Sequence, residues 1–350
     1  MKLNSLHLVA FSALLPLCFA ANAIAQQPTG WKAHDKNRPQ AEVVDPGNAE
    51  AGSHPSDAIV LFSGKDLSQW EGPNGSEPGW KVNDGVMACF KGAKFLYTKE
   101  KFSDIQLHLE WASPAGAKGK GQGRGNSGVF LPGGVEIQVL DSYQNDTYAD
   151  GHAASVYGQF PPLVNACRGP GEWQSYDIIY QMPRFNEQGE FTKSAVVTVL
   201  QNGVLVHHAT EVLGPTEWVH HTEFDPKVTE GTISLQDHGN PVRFRNIWVR
   251  KLETERAPGE YPERRAFTEQ ELKTLPGKYK RNVAITAVDD KLWFHFRGGQ
   301  AIEMAAYADG TLGAVESAGS FDFDFNEDGS VKKMDFRFDA GYKGSVEPIK

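Results

Sequence analysis

The chain has 350 residues, which is enough for one large domain or two medium ones. Its formal net charge is −9 and it contains no run of basic residues, so nucleic acid is excluded as the expected partner. It also contains 8 Trp, 10 Tyr and 20 Phe together with 36 Gly and 20 Pro. This richness in aromatic and turn-forming residues favours an all-β protein over a helical one.

The first 25 residues predict a secretory signal peptide. A charged start at Lys2 precedes an apolar run over Leu8–Ala21, and Ala23–Ala25 forms a cleavage site with small residues at its first and third positions. The run is too short for a spanning helix with normal flanks, so we predict no membrane-spanning segment. Cys18 leaves a lipid anchor as an alternative. We expect a periplasmic or secreted protein that is cut near Ala25.

Residues 26–56 are polar and rich in Pro, Gly and Asp, which is typical of a linker or a loosely held arm. Beyond them, short apolar or alternating runs recur at strand length without a sustained helical period. The clearest runs are Ala58–Phe62, Ile105–Trp111, Val135–Asp141, Ala195–Leu200 and Val242–Val249. They predict a β-sandwich or jelly-roll body over residues 57–254.

The last hundred residues predict a second, smaller β domain. Arg256–Glu263 is charged, contains two prolines and marks a plausible boundary, and Phe267–Leu272 resembles a short capped helical turn. Two later runs, Phe321–Phe325 and Met334–Phe338, alternate Phe with charged residues. That alternation is typical of amphipathic strands, so residues 255–350 are expected to form an accessory β-barrel or meander.

The mature chain would keep two cysteines, Cys89 and Cys167. They could form one disulfide in an oxidising compartment or remain two small buried residues. The sequence leaves both alternatives open.

The strand over Val135–Asp141 is the first candidate for a functional site. Its alternation would point Val135, Ile137 and Val139 into a core and place Glu136 and Gln138 side by side on the other face. A carboxylate and an amide held on a rigid strand can form a sugar or metal site, or they can be an ordinary solvated face.

Other catalytic signatures are missing from the sequence. No Cys/His spacing suggests zinc, and the elements of a nucleophile elbow, a phosphate loop or a dinucleotide fingerprint are absent. We therefore predict no nucleotide cofactor.

Several ordered motifs together resemble one family. They are Leu61–Trp70, Leu109–Trp111, Gly125–Val129, Glu136–Asp141, Tyr157–Gly158, Gly171–Trp173, Leu235–Gly239 and Phe244–Ile247. The set covers about Ile59–Leu252 and resembles the 3-keto-disaccharide hydrolase family. The resemblance implies a concanavalin A-like β-sandwich that cleaves sugars oxidised at C3, by 1,2-elimination or net hydrolysis, and hydrates the resulting 2-hydroxy-glucal.

The implied chemistry needs three kinds of group. A ketone at C3 acidifies the hydrogen at C2 and places the glycosidic oxygen β to the carbonyl. Elimination then requires a base at C2, a partner for the developing enolate at O3 and a proton for the leaving oxygen. A divalent ion chelated by O2 and O3 would serve the enolate, so a metal of unknown identity is a candidate cofactor.

Glu136 is the first choice as base or metal ligand, and Glu110 and His238 complete the predicted catalytic set. The predicted substrate-binding residues are Gln138, Asn126, Asp141, Tyr157, Trp173, Gln236, Arg245 and His152. Each has a structural alternative, such as a turn cap, core packing or an ion pair. For Arg245 the options are an ion pair with Glu136, contact with substrate oxygens or a purely structural ion pair.

We predict a secreted β-sandwich enzyme whose partner is a 3-keto-glycoside. One alternative is a non-catalytic carbohydrate-binding module that uses the same polar face and aromatic residues. Another is a conventional glycosidase with two carboxylates, in which Glu110 would face Glu136.

Overall fold

The computed structural model describes residues 31–38, 43, 45–46, 52–116, 118–217, 222–252, 259–296 and 301–349. The predicted signal peptide lies outside these residues. The chain divides into two compact units. We call Glu42–Glu255 the sandwich unit, and Met1–Ala41 together with Arg256–Lys350 the barrel unit.

The strands of the sandwich unit are mostly short and antiparallel. They are β1 (Ile59–Phe62), β2 (Trp70–Glu71), β3 (Lys81–Asn83), β4 (Val86–Ala88), β5 (Leu96–Thr98), β6 (Ile105–Ala112), β7 (Ser127–Leu131), β8 (Val135–Val139), β9 (Gln174–Gln181), β10 (Arg184–Phe185), β11 (Phe191–Lys193), β12 (Ala195–Gln201), β13 (Val204–Val212), β14 (Ser234–Leu235) and β15 (Arg243–Lys251). Short 3₁₀ helices occupy Pro73–Gly75, Gly121–Gly123 and Ala149–Gly151.

Two sheets enclose the core of this unit. The larger sheet has the order β13-β12-β9-β6-β15-β4-β3, with β1 paired to β15, and the smaller sheet has the order β2-β5-β14-β7-β8. Leu107 and Leu109 of the larger sheet and Ile137 and Val139 of the smaller sheet are fully buried in one shared core. Burial of each such side chain stabilises the fold by about 1.5–3 kcal/mol. The predicted all-β sandwich is confirmed.

The barrel unit is an antiparallel meander. Its elements are β16 (Arg264–Arg265), α1 (Glu269–Thr274), β17 (Gly277–Tyr279), β18 (Val283–Val288), β19 (Lys291–Phe296), β20 (Ala301–Tyr307), β21 (Leu312–Ala314), β22 (Gly319–Phe325), β23 (Val331–Phe338) and β24 (Lys343–Val346). Strands β17 to β24 pair in sequence order, and β16 pairs with β20. A hydrogen bond of 2.8 Å from the Ile349 amide to the Lys278 carbonyl joins the end of the unit to β17 and nearly closes a barrel. The predicted small β-barrel or meander is confirmed.

Part of the stretch predicted as a linker packs within the barrel unit. Ala33 forms a β-bridge with Ser317, and the ammonium group of Lys32 donates a hydrogen bond of 2.6 Å to the Ala314 carbonyl. Burial lowers the pKa of Lys32 to about 8. Residues 31–38 therefore belong to this unit, although their polar composition indicated a loose arm.

Cys89 and Cys167 are unpaired, so of the two alternatives the structure has the free thiols. Burial raises the pKa of each thiol to about 11, which keeps both protonated at neutral pH.

No helix among the described residues is long and apolar enough to cross a membrane.

Candidate functional site

A cleft of about 280 Å³ lies on the outer face of the smaller sheet. Six of its lining residues were predicted as site residues, namely Asn126, Glu136, Gln138, Tyr157, Gln236 and His238. Its other lining residues are Phe130, Thr216 and Glu217. Because β7, β8 and β14 are neighbours in the sheet, residues far apart in sequence meet on one surface.

Glu136 is the central group of this cleft. Its neighbours Val135 and Ile137 are fully buried in the core, so the alternation of β8 turns Glu136 to the cleft face. The side chain is only 5% exposed, and its carboxyl group makes no hydrogen bond to any residue that the structure describes. Burial raises the pKa of Glu136 from 4.5 to about 8. At neutral pH, Glu136 is therefore protonated in most of the protein molecules.

Gly128 provides the space that this carboxyl group occupies. It lies on β7 beside β8, and a Cβ at this position would overlap Glu136 Oε1 and sit 2.9 Å from Glu136 Cδ. Any side chain here would displace the carboxyl group. Gly128, one of the glycines of the Gly125–Val129 motif that contains Asn126, thus leaves the space that the Glu136 side chain needs.

A hydrogen-bond network fixes the polar groups at one end of the cleft. Gln122 Oε1 accepts a hydrogen bond of 2.8 Å from Gln138 Nε2, and the Gln122 carbonyl accepts one of 2.8 Å from Asn126 Nδ2. Gln122 Nε2 donates in turn to the Gly151 carbonyl at 2.8 Å. Gln122 therefore orients two predicted site residues. It was not predicted because it lies in a Gly/Lys-rich loop without any periodic signal.

The remaining walls carry hydroxyl, amide and imidazole groups. The hydroxyls of Tyr157 and Tyr148 are 2.6 Å apart, and His238 is exposed at the rim. Gln236 Oε1 is buried and has no hydrogen-bond partner among the described residues. A buried amide oxygen without a partner is suited to accept a hydrogen bond from a ligand.

Two predicted site residues, Glu110 and Arg245, lie on the larger sheet instead, and Trp173 lies beside Arg245 just before β9. Arg245 is the register partner of Glu110, and its Nε donates to Glu110 Oε2 at 2.6 Å. The Arg245 guanidinium lies 4.0 Å from the centre of the Trp173 ring. Leu109 and Trp111 are buried in the core, so Glu110 projects away from it on the outer face of the larger sheet. The structure does not bring these residues to the cleft.

Of the three options given for Arg245, the ion pair with Glu136 is wrong, because strand register pairs Arg245 with Glu110. This placement also means that Glu110 does not face Glu136, as a two-carboxylate glycosidase built from these residues would require. Trp173 is covered by a guanidinium rather than stacked beside Glu136.

Asp141 and His152 do not line the cleft either. Asp141 is 1% exposed and forms an ion pair of 3.1 Å with Arg124 Nε, while it also accepts a hydrogen bond from the Tyr143 amide. It caps the turn that follows β8, which is the structural alternative given for it. His152 Nδ1 is buried without a hydrogen-bond partner in the part of the chain that the structure describes.

The predicted divalent metal has no evident ligand set. Within the described ranges, no group of three or more His, Cys, Asp or Glu side chains could hold a metal ion. The metal stays a prediction, and no step below depends on it.

Sequence position explains which lining residues were not predicted. Phe130 lies two residues after Gly128 on the same strand, so alternation along β7 could have identified it. Thr216 and Glu217 follow Gly214 and Pro215 in a loop, where no period reports which way a side chain points.

The raised pKa of Glu136 predicts a pH-dependent stability. Between pH 4.5 and about 8 the native state holds a proton that the unfolded state loses, so the free energy of unfolding falls as pH rises through this window. We expect the Glu136→Gln variant to exceed the wild type in stability by a few kcal/mol, order of magnitude, at pH 8, and by much less at pH 5. Urea unfolding at both pH values measures this difference.

The matched control for this prediction is Glu217→Gln, which removes an exposed carboxyl group from the same cleft. It should change stability little at either pH. Equal gains at pH 5 and pH 8 for Glu136→Gln would show that burial does not raise the pKa of this residue.

Comparisons with known proteins identify the family of the chain. Residues 57–250 match the family model of the 3-keto-alpha-glucoside-1,2-lyase-like domain. The chain is 25% identical over 248 residues to a 3-keto-disaccharide hydrolase of Bacteroides thetaiotaomicron, covering 56% of this chain and 78% of the relative. A crystal structure of a candidate glycosyl hydrolase from Parabacteroides distasonis is 46% identical, with a TM-score of 0.59, covering 65% of this chain and 100% of that chain.

The family match covers more than half of the chain and includes every residue that lines the cleft. The chain therefore belongs to the family of 3-keto-alpha-glucoside-1,2-lyase-like domains, a family of glycoside-processing enzymes.

Proposed function

We propose that this protein cleaves 3-keto-glycosides by removing the C2 proton and eliminating the group on C1, with later hydration giving net hydrolysis. The observation that carries this proposal is the Glu136 carboxyl group, which is buried in a cleft without a partner among the described residues. Its pKa of about 8 suits a general base, because a base works best when its pKa lies near the operating pH.

The first step transfers the C2 proton to the ionised form of Glu136. The electron pair of the broken C–H bond moves toward the C3 ketone and leaves negative charge on O3. The amide of Gln236 and the imidazole of His238 line the same cleft and can donate hydrogen bonds to that oxygen.

In the second step the enolate re-forms its carbonyl, the C1–O bond breaks and the leaving oxygen takes a proton. Tyr157 provides a hydroxyl donor in the cleft, and its hydrogen bond with Tyr148 holds it in place. The products are a 2-hydroxy-glucal that keeps the C3 ketone and a free alcohol or sugar. Addition of water, with hydroxyl to C1 and a proton to C2, then yields the 3-keto sugar.

A second candidate function is ordinary glycoside hydrolysis. Glu217 also lines the cleft and is exposed, while Glu136 carries a raised pKa. Two carboxyl groups that flank the glycosidic bond are the pair that conventional glycosidases use. In that mechanism Glu136 would be the acid and Glu217 the base or nucleophile.

Turnover of a 3-keto-disaccharide and of its non-oxidised parent, followed by NMR, separates these functions. Elimination predicts that only the oxidised sugar is cleaved, since the parent has no acidic C2 hydrogen. Cleavage of both sugars at similar rates would support the glycosidase instead. Binding without turnover of either sugar would indicate a carbohydrate-binding module. Repeating the assay with EDTA tests the predicted metal.

We also propose export of the protein to the periplasm or beyond. The charged start, the apolar run over Leu8–Ala21 and the small residues of Ala23–Ala25 support this location. Mass spectrometry of the exported protein should find an N-terminus at about Gln26.

A further inference from the structure

The face of the smaller sheet that carries Glu136 extends well beyond the cleft. Strand register pairs Glu136 with Phe130, Phe130 with Ser234, Ser234 with Tyr97 and Tyr97 with Glu71. Residues directly opposite each other in antiparallel strands project from the same face. One row of side chains therefore runs from Glu136 on β8 across the sheet to β2.

Three aromatic rings on this face form a continuous surface, which we call the aromatic platform (Phe95, Tyr97 and Phe130). The ring centres of Phe95 and Phe130 are 5.6 Å apart, and those of Phe95 and Tyr97 are 6.1 Å apart. Ser234, the small residue between Phe130 and Tyr97 in the row, is buried.

The aromatic platform is not part of the core. Leu96, which follows Phe95, is fully buried between the two sheets, whereas all three rings stay partly exposed on the opposite face. Phe130 also lines the cleft. The exposed rings thus continue the wall of the candidate site.

The volume of the cleft limits how much of a glycoside it can hold, and this indicates a role for the aromatic platform. Sites for small ligands usually enclose about 300–1,000 Å³. The cleft of about 280 Å³ lies just below that range, which suits one sugar ring near Glu136. The other part of a glycoside must then lie on an adjoining surface.

We propose that the aromatic platform binds the leaving-group sugar of the 3-keto-glycoside, an inference that rests on the proposed function. Aromatic rings provide apolar contact area for the C–H faces of a sugar. The Tyr97 hydroxyl and the Glu71 carboxylate make no hydrogen bond to a residue in the described ranges. Both are free to meet sugar hydroxyls, which favours a second sugar over an apolar leaving group.

The Phe95→Ala variant tests this subsite in the full-length protein. The measurement is kcat/KM for a 3-keto-disaccharide and for methyl 3-keto-glucoside, whose leaving group is too small to reach the aromatic platform. We expect the ratio of the two values to fall about tenfold, because only the disaccharide loses the ring contact. Phe95→Tyr should restore the ratio.

The matched control is Phe191→Ala, which removes an exposed ring from the aromatic pair of Phe185 and Phe191 in the β10–β11 ribbon. Its ratio should equal that of the wild type. If the wild type cleaves both substrates and Phe95→Ala keeps the wild-type ratio, the subsite is refuted and the proposed function stands. If the wild type cleaves neither substrate, the proposed function fails and the subsite fails with it.

Discussion

The Glu136→Gln variant is expected to lose about 10³-fold in kcat on a 3-keto-disaccharide while it binds the sugar with nearly wild-type affinity. An amide has almost the same shape as a carboxyl group but cannot accept the C2 proton, and positioned proton transfer contributes about 10²–10⁴-fold to such rates. Affinity should persist because the hydrogen bonds of Gln138 and Asn126 to Gln122 do not involve Glu136. Single-turnover kinetics and isothermal titration calorimetry measure the two quantities.

The control for this prediction makes the same substitution on the other sheet. Glu110→Gln changes a carboxyl group that bonds Arg245 and Asn246 on the outer face of the larger sheet. It should retain turnover within about threefold, because Glu110 does not line the cleft and takes no part in the proton transfer there. Turnover lost in Glu110→Gln and kept in Glu136→Gln would place the chemistry on the larger sheet and contradict the site described above.

Gly128→Ala is expected to lower kcat/KM about 100-fold without touching any ionisable group. The added Cβ would overlap Glu136 Oε1, so the carboxyl group must move. A displacement of about 1 Å in a reacting group can cost about 10²-fold in rate. Steady-state kinetics with the 3-keto-disaccharide give the loss, and thermal unfolding shows whether the variant stays folded.

Gly116→Ala is the matched control, because a Cβ at Gly116 would meet no atom within 4 Å. Its activity should equal that of the wild type. A Gly128→Ala variant with wild-type kinetics would show that Glu136 reaches its working position without the space that Gly128 provides.

Local patterns were sufficient to predict the orientation of the main candidate residue. Alternation along β8 depends only on the geometry of an extended strand, so Ile137 and Val139 were predicted inward and Glu136 and Gln138 outward, as the structure shows. The all-β class followed in the same way from short alternating runs.

Such patterns could not predict which strands pair, at what register, or where the side chains of loops point. The partner of Arg245 depends on which strands pair and at what offset, and β6 and β15 are more than a hundred residues apart in the chain. Gln122 lies in a 3₁₀ helix of a single turn and Glu217 in a loop, and such short segments have no sequence period that indicates side-chain direction. Glu110 and Glu136 lie in strands with the same alternating pattern. The pattern alone cannot show that they belong to different sheets and point away from each other.

Removal of the C2 proton by Glu136 can be tested directly by cleaving a 3-keto-disaccharide in deuterated water and recording the NMR spectrum of the 3-keto product. Samples without enzyme and with Glu136→Gln give the background exchange. Elimination followed by hydration predicts one deuterium at C2, together with a transient 2-hydroxy-glucal. A product that keeps its original hydrogen at C2 would contradict elimination and would indicate direct hydrolysis of the glycosidic bond.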